Sequence, residues 1–269
     1  MDDPQRFVSR FGKCVGIIQA RMGSTRFPGK VLKQLGDKTV LGWVVDRTRN
    51  VSRLDDVVVA TTNKGEDDVL ERWCAENQVK CFRGSSDDLL TRYFECALAE
   101  KAKSVVRITA DCPLIESSLV DAVILAGRSG SWDYFRLGGD FPDGLDCEWL
   151  TFEALETAYR SARLASDREH VTTYLLNNSK MFKLGALKPF DGLSHIRLTI
   201  DEPEDLAAII QIIGLSSDNL NGPCIEETLS ILANHVDVSE LNSHITRNEG
   251  LIRSLAQDSE ESEANHPRI

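Results

Sequence analysis

The chain has no uninterrupted apolar run of about 18 residues, so no helix is expected to cross a membrane. Its opening, MDDPQRFVSRFGK, is polar and acidic at its start and shows no apolar secretion segment. It also lacks any C-x-x-C pair. The seven cysteines (Cys14, Cys74, Cys81, Cys96, Cys112, Cys147 and Cys224) are odd in number and scattered. That excludes a disulfide framework and suits the reduced thiols of a cytoplasmic protein. The five histidines have no metal-ligand spacing, so a structural zinc is not expected. Bases are the scarcer charge, 31 against 42 acids, which argues against nucleic acid as a partner. Internal repeats are missing too. What remains is a chain of 269 residues, 42% hydrophobic, able to fill one large core or two small ones.

Short β-branched runs alternate with amphipathic stretches through the first half. Cys14–Ala20 (CVGIIQA), Val57–Thr61, Val79–Phe82 and Ser104–Thr109 read as buried strands. Between them, residues 39–49 carry apolar side chains at helical spacing with Thr39 as a cap. Asp67–Asn77 and a stretch capped at Ser86-Asp87-Asp88 and running to Lys101 are also helical in pattern. This alternation predicts an α/β fold: a mainly parallel, doubly wound, Rossmann-like sheet covered on both faces. Beyond residue 131 the order changes. Trp132–Leu150 holds a Gly/Pro-rich turn, GGDFPDGLD, and 131–163 is expected to form a small inserted lobe. Helices are expected over 151–163 and 167–178, strands over 181–187 and 195–200, and a helix from Pro203 to Gly214. The domain is therefore drawn as 14–214. Residues 215–256 form a helical extension, and an acidic tail over 257–269 is expected to be disordered.

The most informative stretch is IIQARMGSTRFPGK, residues 17–30. An apolar run stops, and Arg21, Arg26 and Lys30 follow within ten residues with no acid among them. A basic loop alone describes any solvated loop. This one, however, follows a strand of a parallel sheet, where α/β proteins bind ligands. Asp111 and Asp201 also fall directly after expected strands. Three cations and two separate carboxylates at strand ends suit a polyphosphate with a divalent metal. Gly23 and Gly29 permit close backbone approach, and Ser24 and Thr25 add donors. A Walker-type loop is excluded. Five residues, not four, separate Gly23 from Gly29, and Val31 follows Lys30 where Ser or Thr would be required.

The segments IIQARMGSTRFPGKVL, DDVVVATT, FRGSSDDLL, VRITADCPLI, FPDGLDCEWL, SDREHVTTYL and LTIDEPEDL occur in unbroken order over residues 14–214. Together they closely resemble the cytidylyltransferase family, nearest its spore-coat polysaccharide (SpsF-type) branch. That family also includes the enzymes that make CMP-sialic acid and CMP-Kdo and those that cytidylylate phosphonates. The resemblance implies a nucleotidyltransferase fold and assigns roles by position. Arg21, Met22, Gly23, Ser24, Arg26 and Lys30 would hold the CTP triphosphate. Thr61 and Thr62 would lie near the cytosine, with Arg83, Gly84, Asp87, Thr109 and Ala110 also on the nucleotide side. Asp111 and Asp201 would bind Mg²⁺ or Mn²⁺. Asp143, Asp146, Arg168, Glu169 and His170 would face the acceptor, although His170, like His195, also fits a structural hydrogen-bonding role. Phe27 and Leu198 depart from the family pattern, where Leu and Trp are common.

The expected reaction joins CTP to a small anionic acceptor, a sugar acid or a phosphonate, and releases pyrophosphate. Arg21, Lys30, Asp111 and Asp201 are the expected catalytic residues. A related glycosyltransferase, or a non-catalytic nucleotide-binding relative, would share much of this pattern. A homodimer is also expected. Phe141, Leu145, Trp149 and Leu150, read as lying outside the main sheet, would supply its apolar surface.

Overall fold

In the computed structural model the described residues are 12–218, 221–247 and 249–265. Side chains from 257 onward are not described, Asp258 excepted. The first strand, β1 (Cys14–Gln19), is buried along almost its whole length. A two-residue hairpin follows, β2 (Gln34–Leu35) and β3 (Lys38–Thr39), and then α1 (Val40–Arg49). Thr39 caps α1 by accepting from the Gly42 amide at 3.1 Å. The chain continues through β4 (Asp56–Thr62), α2 (Asp68–Glu76), β5 (Lys80–Gly84), α3 (Leu89–Ala99) and β6 (Ser104–Thr109). Asp88 caps α3 through the Thr91 amide at 2.8 Å.

The strands β5-β4-β1-β6 lie side by side and parallel. The chain winds outward from β1 to β5 and then returns to the other side of β1. The sheet therefore has its switch point between β1 and β6, where Gln19 pairs with Thr109. Successive residues point to opposite faces. Ile18, Val59 and Ile108 pack with Trp43 and Leu70, while Ile17, Val58 and Val105 pack with Tyr93 and Leu155. These two apolar layers hold the sheet from both sides.

The expected inserted lobe is not a lobe. After α4 (Ser117–Ser129), β7 (Tyr134–Leu137) and β8 (Glu148–Thr151) enter the main sheet, β8 antiparallel to β6. Phe141, Leu145, Trp149 and Leu150 are between 0% and 5% exposed. They are core residues, so the dimer surface read from them is withdrawn. α5 (Phe152–Ser161) matches expectation. The helix expected over 167–178 is broken into α6 (Ala165–His170) and α7 (Thr173–Asn177). Val171 separates them at φ 59°, an unfavourable region for a β-branched residue. β9 (Leu184–Leu187) pairs parallel with β7 and ends the sheet.

Residues 195–200 do not form a sheet strand: His195 lies in a turn, and Arg197 makes an isolated parallel bridge with Asp143. Their backbone partners are loops: Asp143 donates to the Ile196 carbonyl at 2.9 Å, and Ile200 donates to the Asp111 carbonyl at 2.8 Å. Gly144 makes this possible. It sits at φ 99°, and a Cβ there would lie 2.5 Å from the Leu198 carbonyl carbon. The rest is helical: α8 (Pro203–Leu215), α9 (Ile225–Asn234), α10 (Val236–Glu240) and α11 (Glu249–Asn265). The tail expected to be disordered from 257 is thus helical to Asn265. After Gly250 that stretch has neither Gly nor Pro, and its Leu, Ala, Gln and Glu favour a helix. Residues 266–269 lie outside the described residues.

Candidate active site

Beyond the carboxyl ends of β1 and β6 opens a cleft of about 730 Å³. One lip is the basic loop. Its shape is fixed from within: Ser24 and Gly29 both donate to the Met22 carbonyl, and the Met22 amide donates to Asp67 at 2.7 Å. Gly29 takes φ 68° to turn the chain into the short 3-10 turn Lys30–Leu32. The cleft walls carry Arg21, Arg26, Lys30, Arg92, Arg107, Arg168 and Arg253 against Asp87, Asp111, Glu169, Asp201 and Glu249. Seven cations face five carboxylates, so the cleft is locally basic in a chain of net charge -11.

Lys30 stands at its centre. The ammonium donates to Asp111 Oδ2 at 2.6 Å and to Asp201 Oδ1 at 2.8 Å. Burial alone would lower its pKa, but the two carboxylates raise it, so Lys30 is charged. Arg26 reaches Asp201 Oδ1 at 3.0 Å, Glu202 at 3.5 Å and Glu249 at 3.1 Å. Burial opposes ionisation of Asp201, yet Lys30, Arg26 and Arg197 outweigh it and pull its pKa down to about 2. Two carboxylate oxygens from separate chain segments therefore converge on one cationic centre. That donor set fits a hard divalent cation that keeps several waters.

The far wall comes from α6 and α11. Arg168 is held by Asp88 at 3.2 Å and by the Tyr159 carbonyl at 3.0 Å. Ser254 of α11 donates to Glu169 at 2.7 Å and lies 3.1 Å from His170 Nε2. Burial lowers the His170 pKa despite the neighbouring Glu169, so its imidazole is neutral at pH 7.

The structure brings Arg21, Gly23, Ser24, Arg26, Lys30, Asp87, Thr109, Ala110, Asp111, Arg168, Glu169, His170 and Asp201 to one cleft. Others assigned by resemblance are not on its walls. Thr61 is fully buried, and Thr62 donates to Asp67. Met22 packs partly buried against the core. Arg83 is tied to Asp68, Glu71 and the Thr62 and Lys64 carbonyls, and Gly84 is buried beneath Arg92. Asp143 and Asp146 face Arg197 and Arg247 instead. His195, away from the cleft, bonds the Gly192 carbonyl.

Several cleft residues escaped the sequence reading. Arg107, paired with Glu148 at 2.6 Å, and Arg92, bonded to the Ser85 carbonyl at 2.8 Å, are lone charges in apolar segments. A charged residue inside SVVRIT was the signal that could have pointed to Arg107. Nothing in the sequence marked Glu249, Arg253 or Ser254.

A mainly parallel α/β sheet with a basic, carboxylate-bearing cleft at its switch point is a frame for binding phosphorylated ligands. The comparisons with known proteins narrow this. The family model described as cytidylyltransferase matches residues 15–238, so the chain belongs to the cytidylyltransferase family and is a nucleotidyltransferase enzyme. It is 35% identical over 235 residues to an uncharacterized protein of Methanocaldococcus jannaschii, covering 87% of this chain and 96% of that one. It is also 35% identical over 200 residues to the spore coat polysaccharide biosynthesis protein SpsF of Bacillus subtilis, covering 72% and 83%. The solved structure of a cytidylyltransferase from Leptospira borgpetersenii superposes with a TM-score of 0.79 at 32% identity, covering 84% and 96%. Among the described residues no helix is long and apolar enough to cross a membrane.

Proposed function

We propose that the enzyme transfers CMP from CTP to a small anionic acceptor, a sugar acid or a phosphonate, and releases pyrophosphate. The observation that carries this reading is Lys30, held between Asp111 and Asp201 on the lip of a basic cleft at the switch point. In the reaction an acceptor oxygen attacks the α-phosphorus in line, the α–β P–O bond breaks, and the acceptor proton passes to solvent. The protein's work is positioning and charge neutralisation. Arg21, Arg26 and Lys30 stabilise the charge that develops on departing pyrophosphate. For Lys30 and Arg26 this means exchanging carboxylate partners for phosphate oxygens as the nucleotide binds. Asp111 and Asp201 would hold Mg²⁺ or Mn²⁺, which supplies Lewis-acid polarisation of a phosphoryl oxygen. Arg168 and His170, on the opposite wall, face the acceptor.

The test is pyrophosphate release from CTP, ATP and GTP against a panel of sugar acids and phosphonates. CTP is expected to be preferred strongly, because a pocket that hydrogen-bonds one base edge rejects the others. Equal turnover of ATP or GTP would sink the assignment.

A further inference from the structure

Arg197 lies four residues before Asp201, where it bridges Asp143, and does not line the cleft. Its side chain is 5% exposed. Nε and Nη2 grip the two oxygens of Asp205 at 2.7 and 3.0 Å, and Nη1 donates to Asp143 at 2.9 Å. Nη2 also donates to Asp201 Oδ2 at 2.9 Å. The other oxygen of Asp201, Oδ1, is the one met by Lys30 at 2.8 Å and by Arg26 at 3.0 Å. The two oxygens of a single carboxylate are thus divided, one toward the fold and one toward the cleft.

We infer that Arg197 is the positioning residue of the active site: its fork holds Asp201 Oδ2 so that Oδ1 alone is presented to the cleft. This rests on the reading of Asp201 as a group that works in the cleft. The start of α8 does not require the contact. Asp205 by itself accepts from the Asp201 and Glu202 amides at 2.8 and 3.0 Å. An arginine serving only that turn would need no third carboxylate. Gathering three carboxylates around one buried guanidinium is electrostatically costly unless their geometry matters. The planar fork supplies that geometry, and a lysine could not. Asn242 completes the arrangement from outside the family match, donating to Asp205 Oδ1 at 2.9 Å and to the Arg197 carbonyl at 3.2 Å. Asn242 is itself buried. The residues after 238 thereby lock the group that aims Asp201.

The test uses the full chain with Arg197→Met, Arg197→Lys and Asp201→Asn. Mn²⁺ binding is read by electron paramagnetic resonance, turnover by pyrophosphate release with CTP, and folding by circular dichroism. Arg197→Met is expected to weaken Mn²⁺ binding about 10-fold or more, as loss of a ligand-orienting partner does. The turnover number should fall with it while the Michaelis constant for CTP changes little. Arg197→Lys should recover part of both, because it restores the charge without the fork. Should Arg197→Met not fold, Arg197→Lys alone decides. Wild-type Mn²⁺ binding that is lost in Asp201→Asn but intact in the folded Arg197 variants overturns the positioning role and leaves the function standing. Binding that is indifferent to Asp201→Asn overturns the reading of Asp201 itself, and the inference with it.

Discussion

Lys30 and Arg197 each gather carboxylates from distant parts of the chain, and they share Asp201, but they are built for opposite ends. Lys30 is a point charge on a flexible stem beside open space, and its two partners are each more than a fifth exposed. Arg197 is a rigid fork, and two of its three partners, Asp143 and Asp205, are 10% and 0% exposed. An ammonium can exchange a carboxylate for a phosphate oxygen by rotating a few bonds. A guanidinium enclosed by three carboxylates cannot move without leaving buried charges unpaired. The same chemical attraction therefore yields an exchangeable site in one place and a fixed frame in the other.

The sharpest way to separate the two is through the carboxylates of the cleft. Asp111→Asn and Asp201→Asn are each expected to bring pyrophosphate release close to background with circular dichroism unchanged, since the amide keeps the shape and loses the charge. Near-normal turnover in either variant would remove that residue from the working group. On the frame side, Asp205→Ala should cost about 3–5 kcal/mol of stability, because it leaves Arg197 under-paired in a buried setting. Urea denaturation checks this, and a loss below about 1 kcal/mol would mean the frame is not a frame. Lys30→Ala should cost less stability than Asp205→Ala, because the partly exposed Asp111 and Asp201 can turn to solvent once the buried ammonium is gone. Its turnover number should fall roughly 10²-fold, by analogy with loss of one preorganised donor. CTP affinity should fall less, since Arg21 and Arg26 remain. An unchanged turnover number with a raised Michaelis constant would make Lys30 a binding residue only.

The smallest effect is one of pH. Burial, and then the Asp146 charge, raise Asp143 from 3.8 to about 6, outweighing Arg247 and Arg197. The folded state thus binds this proton more tightly than the unfolded state. The associated stability is complete below pH 3.8 and is lost as pH rises through about 6. At about 1.4 kcal/mol per unit, the loss is on the order of 2–3 kcal/mol. Asp143→Asn should erase that slope in denaturation curves taken across this window. Parallel curves for wild type and variant would place Asp143 as a permanently charged partner of Arg197.

The parallel half of the sheet was legible because buried strands must be apolar and β-branched, and runs such as Val57–Val59 carry little else. The other half was not. Phe141 and Leu145 sit in a Gly/Pro-rich turn, and nothing local says what covers such residues; in the fold they join the core cluster that holds Leu198 and Ile200, and Arg247 lies over the Phe141 ring. In His195–Ile200 the branched residues Ile196, Leu198, Thr199 and Ile200 predict a strand. Its backbone, however, bonds to loops rather than to a neighbouring strand, and residue pattern does not reveal hydrogen-bond partners. Lys30, Asp111 and Asp201 were legible from their places after apolar runs. Arg197 was hidden as a single charge within HIRLTI, a conflict with its apolar neighbours that itself hinted at buried pairing.

α11 also fixes when the site is finished. Arg26 and Glu249, which meet across the cleft, are 223 positions apart in the chain. During synthesis the basic lip is made first, and all sheet strands are complete once Leu187 has emerged. Asp111 precedes that point and Asp201 follows it, and Glu249 and Ser254 come later still. Closing so long a loop costs only logarithmically more entropy than closing a short one, so the delay is one of time rather than stability. A chain made only as far as Leu187 would carry every sheet strand, the charged lip and the α6 part of the far wall, and would lack Asp201 and the α11 part.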